Sequence, residues 1–233
     1  MIPAGKIDFM SSISLKKLIL HEDAELLIVN KPAGMPVLPD GWEKDAPYLV
    51  KLLEEQYGKL WIIHRLDKTT SGVMVFARLA EAHRALNMQF EQHEVQKVYH
   101  AIVVGEPHWD YHTARHALRI DMGHSHRTVV DHSKGKSAET AFRVLESHSG
   151  TSLLEAIPGT GRTHQIRVHA YALGFPLLGD TLYNAPPTDL IARPALHSQS
   201  LTFTHPATCE RVSFSAPYPD DFRAALEKLR AGL

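Results

Sequence analysis

The stretch His64-Arg65-Leu66-Asp67-Lys68-Thr69-Thr70-Ser71-Gly72 sets one carboxylate between two cations, in a polar segment bounded by the apolar runs 61–63 and 72–77. A carboxylate in a partly dry cleft drifts toward its neutral form, whereas a neighbouring guanidinium favours the ionised, nucleophilic one. Asp67 therefore reads either as a nucleophile or as the hub of a turn that accepts N–H bonds from Thr69, Thr70 or Ser71. A second segment, Gly159-Thr160-Gly161-Arg162-Thr163-His164-Gln165-Ile166-Arg167-Val168-His169, combines glycines that permit close backbone approach with Arg162 at the start of an expected helix. Helix N-termini favour anions, so this turn suits a phosphate or the Asp67 carboxylate; the alternative is a glycine turn with Arg162 and Arg167 in solvent. It lacks the Gly-x-x-x-x-Gly-Lys-Ser/Thr spacing of a P-loop. Third, Lys97-Val98-Tyr99-His100-Ala101 opens a strand whose alternation puts Lys97, Tyr99 and Ala101 on one face. Tyr99 is either a ring on which a base can stack or a core residue.

The surrounding pattern supplies the supports. The run 26–29 reads as a buried strand entering the tight loop Asn30-Lys31-Pro32-Ala33-Gly34, 48–57 as a short amphipathic helix, and 61–63 and 72–77 as two strands. The spacing predicts a helix over 79–93, strands over 98–104, 138–146 and 152–157, a helix capped by Thr163 and stopped by Gly174, and a last amphipathic helix over 222–229. The segments 108–136 and 183–193 read as surface insertions. Strands outnumber helices without alternating with them, which favours an α+β fold with a mixed, largely antiparallel central sheet flanked by helices.

The whole chain narrows the function classes. It has 233 residues, 44% hydrophobic, with 25 Lys plus Arg against 26 Asp plus Glu, 16 His and the single Cys209. It has no stretch of about 20 apolar residues for a membrane span. One cysteine makes neither an intramolecular disulfide nor a cysteine zinc site, which fits a reducing cytoplasm. A net charge of −1 argues against a non-specific nucleic-acid coat. That balance conceals −5 over residues 21–57 and +3 over 58–136, where ten of the histidines also lie.

Together and in order, His-Arg-Leu-Asp-x-x-Thr-Ser-Gly at 64–72, Lys-x-Tyr-x-Ala at 97–101 and Gly-Arg-x-His-Gln-x-Arg-x-His at 161–169 resemble the RluA family of RNA pseudouridine synthases. Val29–Gly34, Leu178-Gly179-Asp180-x-x-Tyr183 and Leu196-His197 extend the resemblance over about residues 22–217. The resemblance implies an isomerase that turns uridine into pseudouridine in structured RNA, ribosomal or transfer, without cofactor or metal, after flipping the nucleotide out of the RNA. Asp67 matches the essential aspartate, which attacks the ribose C1′ or the base. Tyr99 matches a tyrosine that packs on the uracil and helps to remove its C5 proton, and Arg162 an arginine that pairs with the aspartate. Arg65 matches a residue that fills the space of the extruded base. His64, Lys68, Thr70, Ser71, His164 and Arg167 are candidate substrate-binding residues within these motifs, Val73 and Val75 are apolar surfaces for the flipped base, and Lys31, Lys68, Arg115, Arg119 and Arg127 are charges for the RNA backbone. The expected organisation is an extension, 1–21, before one catalytic domain, 22–233, without a separate N-terminal RNA-binding module and acting as a monomer. Ser198 stands where the family often has Ala.

The rivals are weaker. His112 and His116, four apart as on a helix face, and His124 and His126, two apart as on a strand, suggest a metal-dependent hydrolase, yet no His-Glu-x-x-His frame exists and Asp121 is the sole carboxylate from 111 to 130. His-Arg-Leu-Asp is not the kinase His-Arg-Asp, and a Gly-x-Ser-x-Gly elbow is absent. A purely RNA-binding descendant of such an enzyme has no need of Asp67, Tyr99 and Arg162 together.

Overall fold

The computed structural model describes residues 15–39, 46–120 and 127–232. Its strands are β1 (Ile19–Glu22), β2 (Leu26–Lys31), β3 (Trp61–Ile62), β4 (Ser71–Ala77), β5 (Gln96–Val104), β6 (Tyr111–Arg115), β7 (Leu118–Ile120), β8 (Thr128–Val130), β9 (Glu139–His148), β10 (Thr151–Pro158), β11 (Leu196–Thr204) and β12 (Arg211–Ser215). The helices are α1 (Leu49–Tyr57), α2 (Ala80–Glu91), α3 (Gln165–Ala172) and α4 (Asp220–Arg230). Among the described residues ten strands form one sheet with the path β1-β2-β4-β11-β5-β10-β9-β6, β3 pairing with β4 and β12 with β11. Every pairing is antiparallel except β4 with β11. This is the mixed, largely antiparallel α+β architecture. Because β1 pairs with β2, the sheet takes in residues 19–21 of the expected extension.

Both faces of the sheet are covered, which is why the central strands read as unbroken apolar runs. On one face Leu27, Val29, Met74 and Phe76 pack with Leu49 and Leu53 of α1. On the other, Leu26, Ile28, Val73 and Val75 pack with Leu86 of α2 and Phe203 of β11. Val73 and Val75 are thus committed to the core, fully buried, and cannot receive a flipped base. Farther along the sheet α3 covers one face through Ile166 and Ala170 against Phe142 and Leu154, and α4 the other through Phe222 and Leu226 against Ile102 and Leu153.

Two segments depart from the pattern. The stretch 108–136 is no simple insertion: Tyr111–Arg115 is the edge strand β6 on β9, and β7 and β8 form a separate two-stranded hairpin. An edge strand needs few apolar residues, and Tyr-His-Thr-Ala-Arg hides its period. His112 lies on this strand, so His112 and His116 do not share a helix face; His124, His126 and Asp121 lie outside the described residues. Among the described residues no three His, Cys, Asp or Glu side chains converge as a metal site, and no helix is long and apolar enough to cross a membrane. The second departure is β11, Leu-His-Ser-Gln-Ser-Leu-Thr-Phe-Thr, a polar-looking strand whose His197 and Ser198 are buried at the centre of the sheet.

Candidate active site

At that centre, His197 and Ser198 of β11 run parallel to Ser71 and Gly72 of β4, and Ser198 is in register with Tyr99 of β5. Gly72, Ser198 and Tyr99 form a row across three strands, which brings the loop ending at Ser71 toward Tyr99. Only glycine fits here: Gly72 has φ +117°, and a Cβ would stand 2.6 Å from the amide nitrogen of Ser198.

The loop between β3 and β4 is held by its backbone. His64 Nε2 accepts the N–H of Val75 at 3.1 Å, and its ring stacks on Phe90 with centroids 4.9 Å apart. Burial, reinforced by the positive charge of Lys97, pushes the His64 pKa down to about 3, so the ring is neutral. Leu66 enters the core beside Met74 and Phe76. The Lys68 carbonyl receives the Gly34 N–H at 2.8 Å and Lys31 Nζ at 3.2 Å, and the Thr69 carbonyl receives Arg193 Nη1 at 3.0 Å. Thr70 N–H donates to the Asp67 carbonyl at 3.0 Å, closing a turn. That turn uses the Asp67 backbone, so its carboxylate is left facing a cavity of about 350 Å³.

The opposite wall is the 158–167 segment. Gln165 locks it: Nε2 donates to the Glu139 carbonyl at 2.8 Å and to Thr140 Oγ1 at 3.0 Å, while Oε1 accepts Thr160 Oγ1 at 2.6 Å and the Arg162 N–H at 3.0 Å. The helix cap is His164 rather than Thr163, in the left-handed conformation with φ +53°. A glutamine that reaches back to the turn takes the place of the expected threonine cap. From α3, Arg167 Nη1 lies 3.9 Å and His164 Nε2 3.8 Å from Asp67 Oδ2. Arg167 also makes a bidentate pair with the buried Asp180, at 2.7 and 2.8 Å, and its guanidinium packs over the Tyr183 ring. Burial opposes its charge, and Asp180 more than compensates, so its pKa rises.

The other expected residues divide by position. Arg65, Thr70 and Tyr99 line the cavity with His64, Asp67, Arg162, His164 and Arg167. Arg162 is exposed, and its Nε donates to the Ser137 carbonyl at 3.4 Å. The expected Arg162–Asp67 pair is replaced by Arg167 with Asp67, because Arg162 precedes the helix and follows the loop outward while Arg167 projects from its first turn. Lys68 is exposed and outside the cavity lining. Ser71 is buried behind the loop, with its Oγ 2.9 Å from His197 Nδ1, so it buttresses the loop and cannot reach a substrate. Lys31 is likewise no RNA contact: it is fully buried, and Nζ donates to the carbonyls of Pro32, Met35 and Lys68. Arg115 pairs with Glu139, Arg119 with Asp131, and Arg127 reaches the Leu182 carbonyl at 3.5 Å.

Known proteins are similar to this chain in sequence and in fold. The sequence model of the RNA pseudouridylate synthase family matches residues 25–172. The chain is 38% identical over 200 residues to the Dual-specificity RNA pseudouridine synthase RluA of Haemophilus influenzae, spanning 85% of this chain and 91% of that protein. It is 36% identical over 228 residues to the Ribosomal large subunit pseudouridine synthase D of Zymomonas mobilis, covering 91% of this chain and 72% of that protein. The chain belongs to the RluA family of RNA pseudouridine synthases. In fold, this synthase superposes on Human RNA Pseudouridylate Synthase Domain Containing 4 with a TM-score of 0.76 and 28% identity over 97% of each chain.

Several residues of the synthase site carry no signal in the three main motifs. Phe90, near the end of α2, and His93, between α2 and β5, line the cavity. Asp180 and Tyr183 buttress its floor, and only the Leu-Gly-Asp-x-x-Tyr match hinted at them. Arg193 is the least legible: it joins the Thr69 carbonyl to Asp221 at the start of α4, at 2.7 and 2.9 Å. Burial pushes the phenol of Tyr99 up to about 12, the Asp67 charge adding to the shift and a hydrogen bond with Ser198 opposing it.

Proposed function

We propose that this synthase isomerises a uridine in structured ribosomal or transfer RNA, in the cytoplasm, with Asp67 as the nucleophile acting on a nucleotide flipped out of the RNA. The observation that carries this reading is the Asp67 carboxylate, open to a cavity of about 350 Å³ that also exposes the aromatic ring of Tyr99, with the basic side chains of His164 and Arg167 at 3.8 and 3.9 Å from Asp67 Oδ2. A uridine within a helix hides its glycosidic bond, and flipping it out costs a few kcal/mol of stacking. Tyr99, wedged between two core clusters, returns part of that cost as a rigid stacking surface. Arg65, exposed at the rim, is placed to occupy the vacated space in the RNA. Arg167, anchored on Asp180, orients the Asp67 carboxylate; exposed Arg162 meets an RNA phosphate. His64 sets the loop, and Thr70 closes its turn. The relatives named for the large ribosomal subunit make ribosomal RNA the first substrate to try.

Asp67→Asn is nearly isosteric and removes the nucleophile. It is expected to abolish pseudouridine formation, by more than about 10⁴-fold, while leaving the melting temperature and RNA affinity near wild type. Pseudouridine mapping of RNA from a deletion strain complemented with either version checks this, and substantial turnover by the variant would refute the assignment. The same maps identify the target uridine.

A further inference from the structure

The imidazole of His164 is held in one tautomer, with its basic nitrogen beside the nucleophile. Tyr183 Oη lies 2.9 Å from the Thr128 carbonyl, 3.1 Å from the Thr128 N–H and 3.2 Å from His164 Nδ1. A carbonyl only accepts, so the single hydroxyl proton goes to the Thr128 oxygen. An amide N–H only donates, so it takes one lone pair of the phenol oxygen. The remaining lone pair must accept from His164, which fixes the proton of the neutral ring on Nδ1. Nε2 then carries the free lone pair, at 3.8 Å from Asp67 Oδ2 inside the cavity. The chain accepts a left-handed backbone at a non-glycine residue, φ +53°, to put it there.

We propose that His164 Nε2 is the proton acceptor of the rearrangement. This rests on the isomerase reading above. After the uracil has turned and C5 has bonded to C1′, C5 still carries its hydrogen. Nε2 takes that proton; the C5–H electron pair re-forms the C5–C6 double bond, the C6–N1 π pair moves to N1, and N1 takes up one proton, so nothing is gained or lost overall. The imidazolium formed stands beside the carboxylates of Asp67 and Asp180, which stabilise it, while Arg167 limits its basicity. Burial, opposed by Asp67, holds the His164 pKa below the ordinary histidine range, so the ring enters the reaction neutral. Tyr99 is a poorer proton acceptor, because with its pKa near 12 about one phenol in 100,000 is ionised at pH 7.

The test uses full-length protein in single turnovers on unmodified large-subunit ribosomal and transfer RNA transcripts made with uridine or with 5-deuterated uridine. His164→Gln is expected to slow product formation by about 100-fold and to raise the deuterium isotope effect to several-fold, because proton loss becomes limiting. His164→Gly, which keeps the left-handed backbone without strain, is expected to regain activity with added imidazole. A slowed His164→Gln with the wild-type isotope effect, no rescue of His164→Gly, or an enlarged isotope effect in Tyr99→Phe instead, would each overturn the assignment. Wild-type protein that modifies neither transcript would remove the isomerase reading itself, a separate and earlier failure.

Discussion

Lys31 lies in an apolar interior, yet its Nζ donates to three carbonyls that shape the 32–35 turn and the Asp67 loop. Burial pushes its pKa down to about 7, the Asp67 charge opposing and the Arg193 charge adding. Its role is therefore to hold loop carbonyls in place. Lys31→Met leaves those oxygens without a donor and is expected to cost about 2 kcal/mol of stability and to lower turnover. RNA affinity should stay within about twofold of wild type; a large loss of affinity with unchanged stability would return Lys31 to the RNA surface. Arg162 makes the opposite case. It is exposed at the cavity rim, and if it meets an RNA phosphate as proposed, Arg162→Ala weakens RNA binding and reduces the slope of log affinity against log salt by about 1. Binding titrations at several salt concentrations check this, and an unchanged slope would tie Arg162 to the chemistry instead.

The elements show which parts of the site were legible and why. Apolar runs covered on both faces announce β2 and β4, and the 3.6-residue spacing announces α2 and α4, because burial itself writes those patterns. The Asp67 loop and Tyr99 were legible from their motifs alone. Their supports were not, because they are polar residues buried by pairing: Ser71, His197, Arg193 and Asp221 form a chain of hydrogen bonds from β4 to α4. A residue such as Ser71 looks like surface until its partners, more than 100 positions away, are known. The misplaced helix cap has the same origin, since Gln165 folds back on Thr160 and Glu139 and no cap motif encodes that. Gly72 is the element-scale test. Its positive φ and the approach of Ser198 leave no room for a side chain, so Gly72→Ala is expected to cost about 3 kcal/mol, read by urea denaturation. An alanine variant of wild-type stability would mean that β4 and β11 do not meet in this register.

At the scale of the whole molecule, the histidine-rich composition has a stability consequence separate from catalysis. Burial pushes His169 and His197 down to about 4 and His64 to about 3. In the unfolded chain the same rings titrate near 6.5. Between those limits the unfolded state binds protons that the folded state refuses, so stability is fully present above about pH 6.5 and is lost as the pH falls toward 4. Each ring contributes at most about 1.4 kcal/mol per pH unit, so the three together give a limiting slope of about 4 kcal/mol per unit. Asp23, held at about 2 against burial by His21, the Glu25 and Leu26 N–H groups and His205, adds its loss only below about pH 4. The histidine window can therefore be measured apart from that of Asp23. Urea denaturation at pH 7, 6 and 5 is expected to show stability falling with each step and steepening toward pH 5, whereas equal stability at pH 7 and 5 would mean that these rings are protonated inside the folded protein.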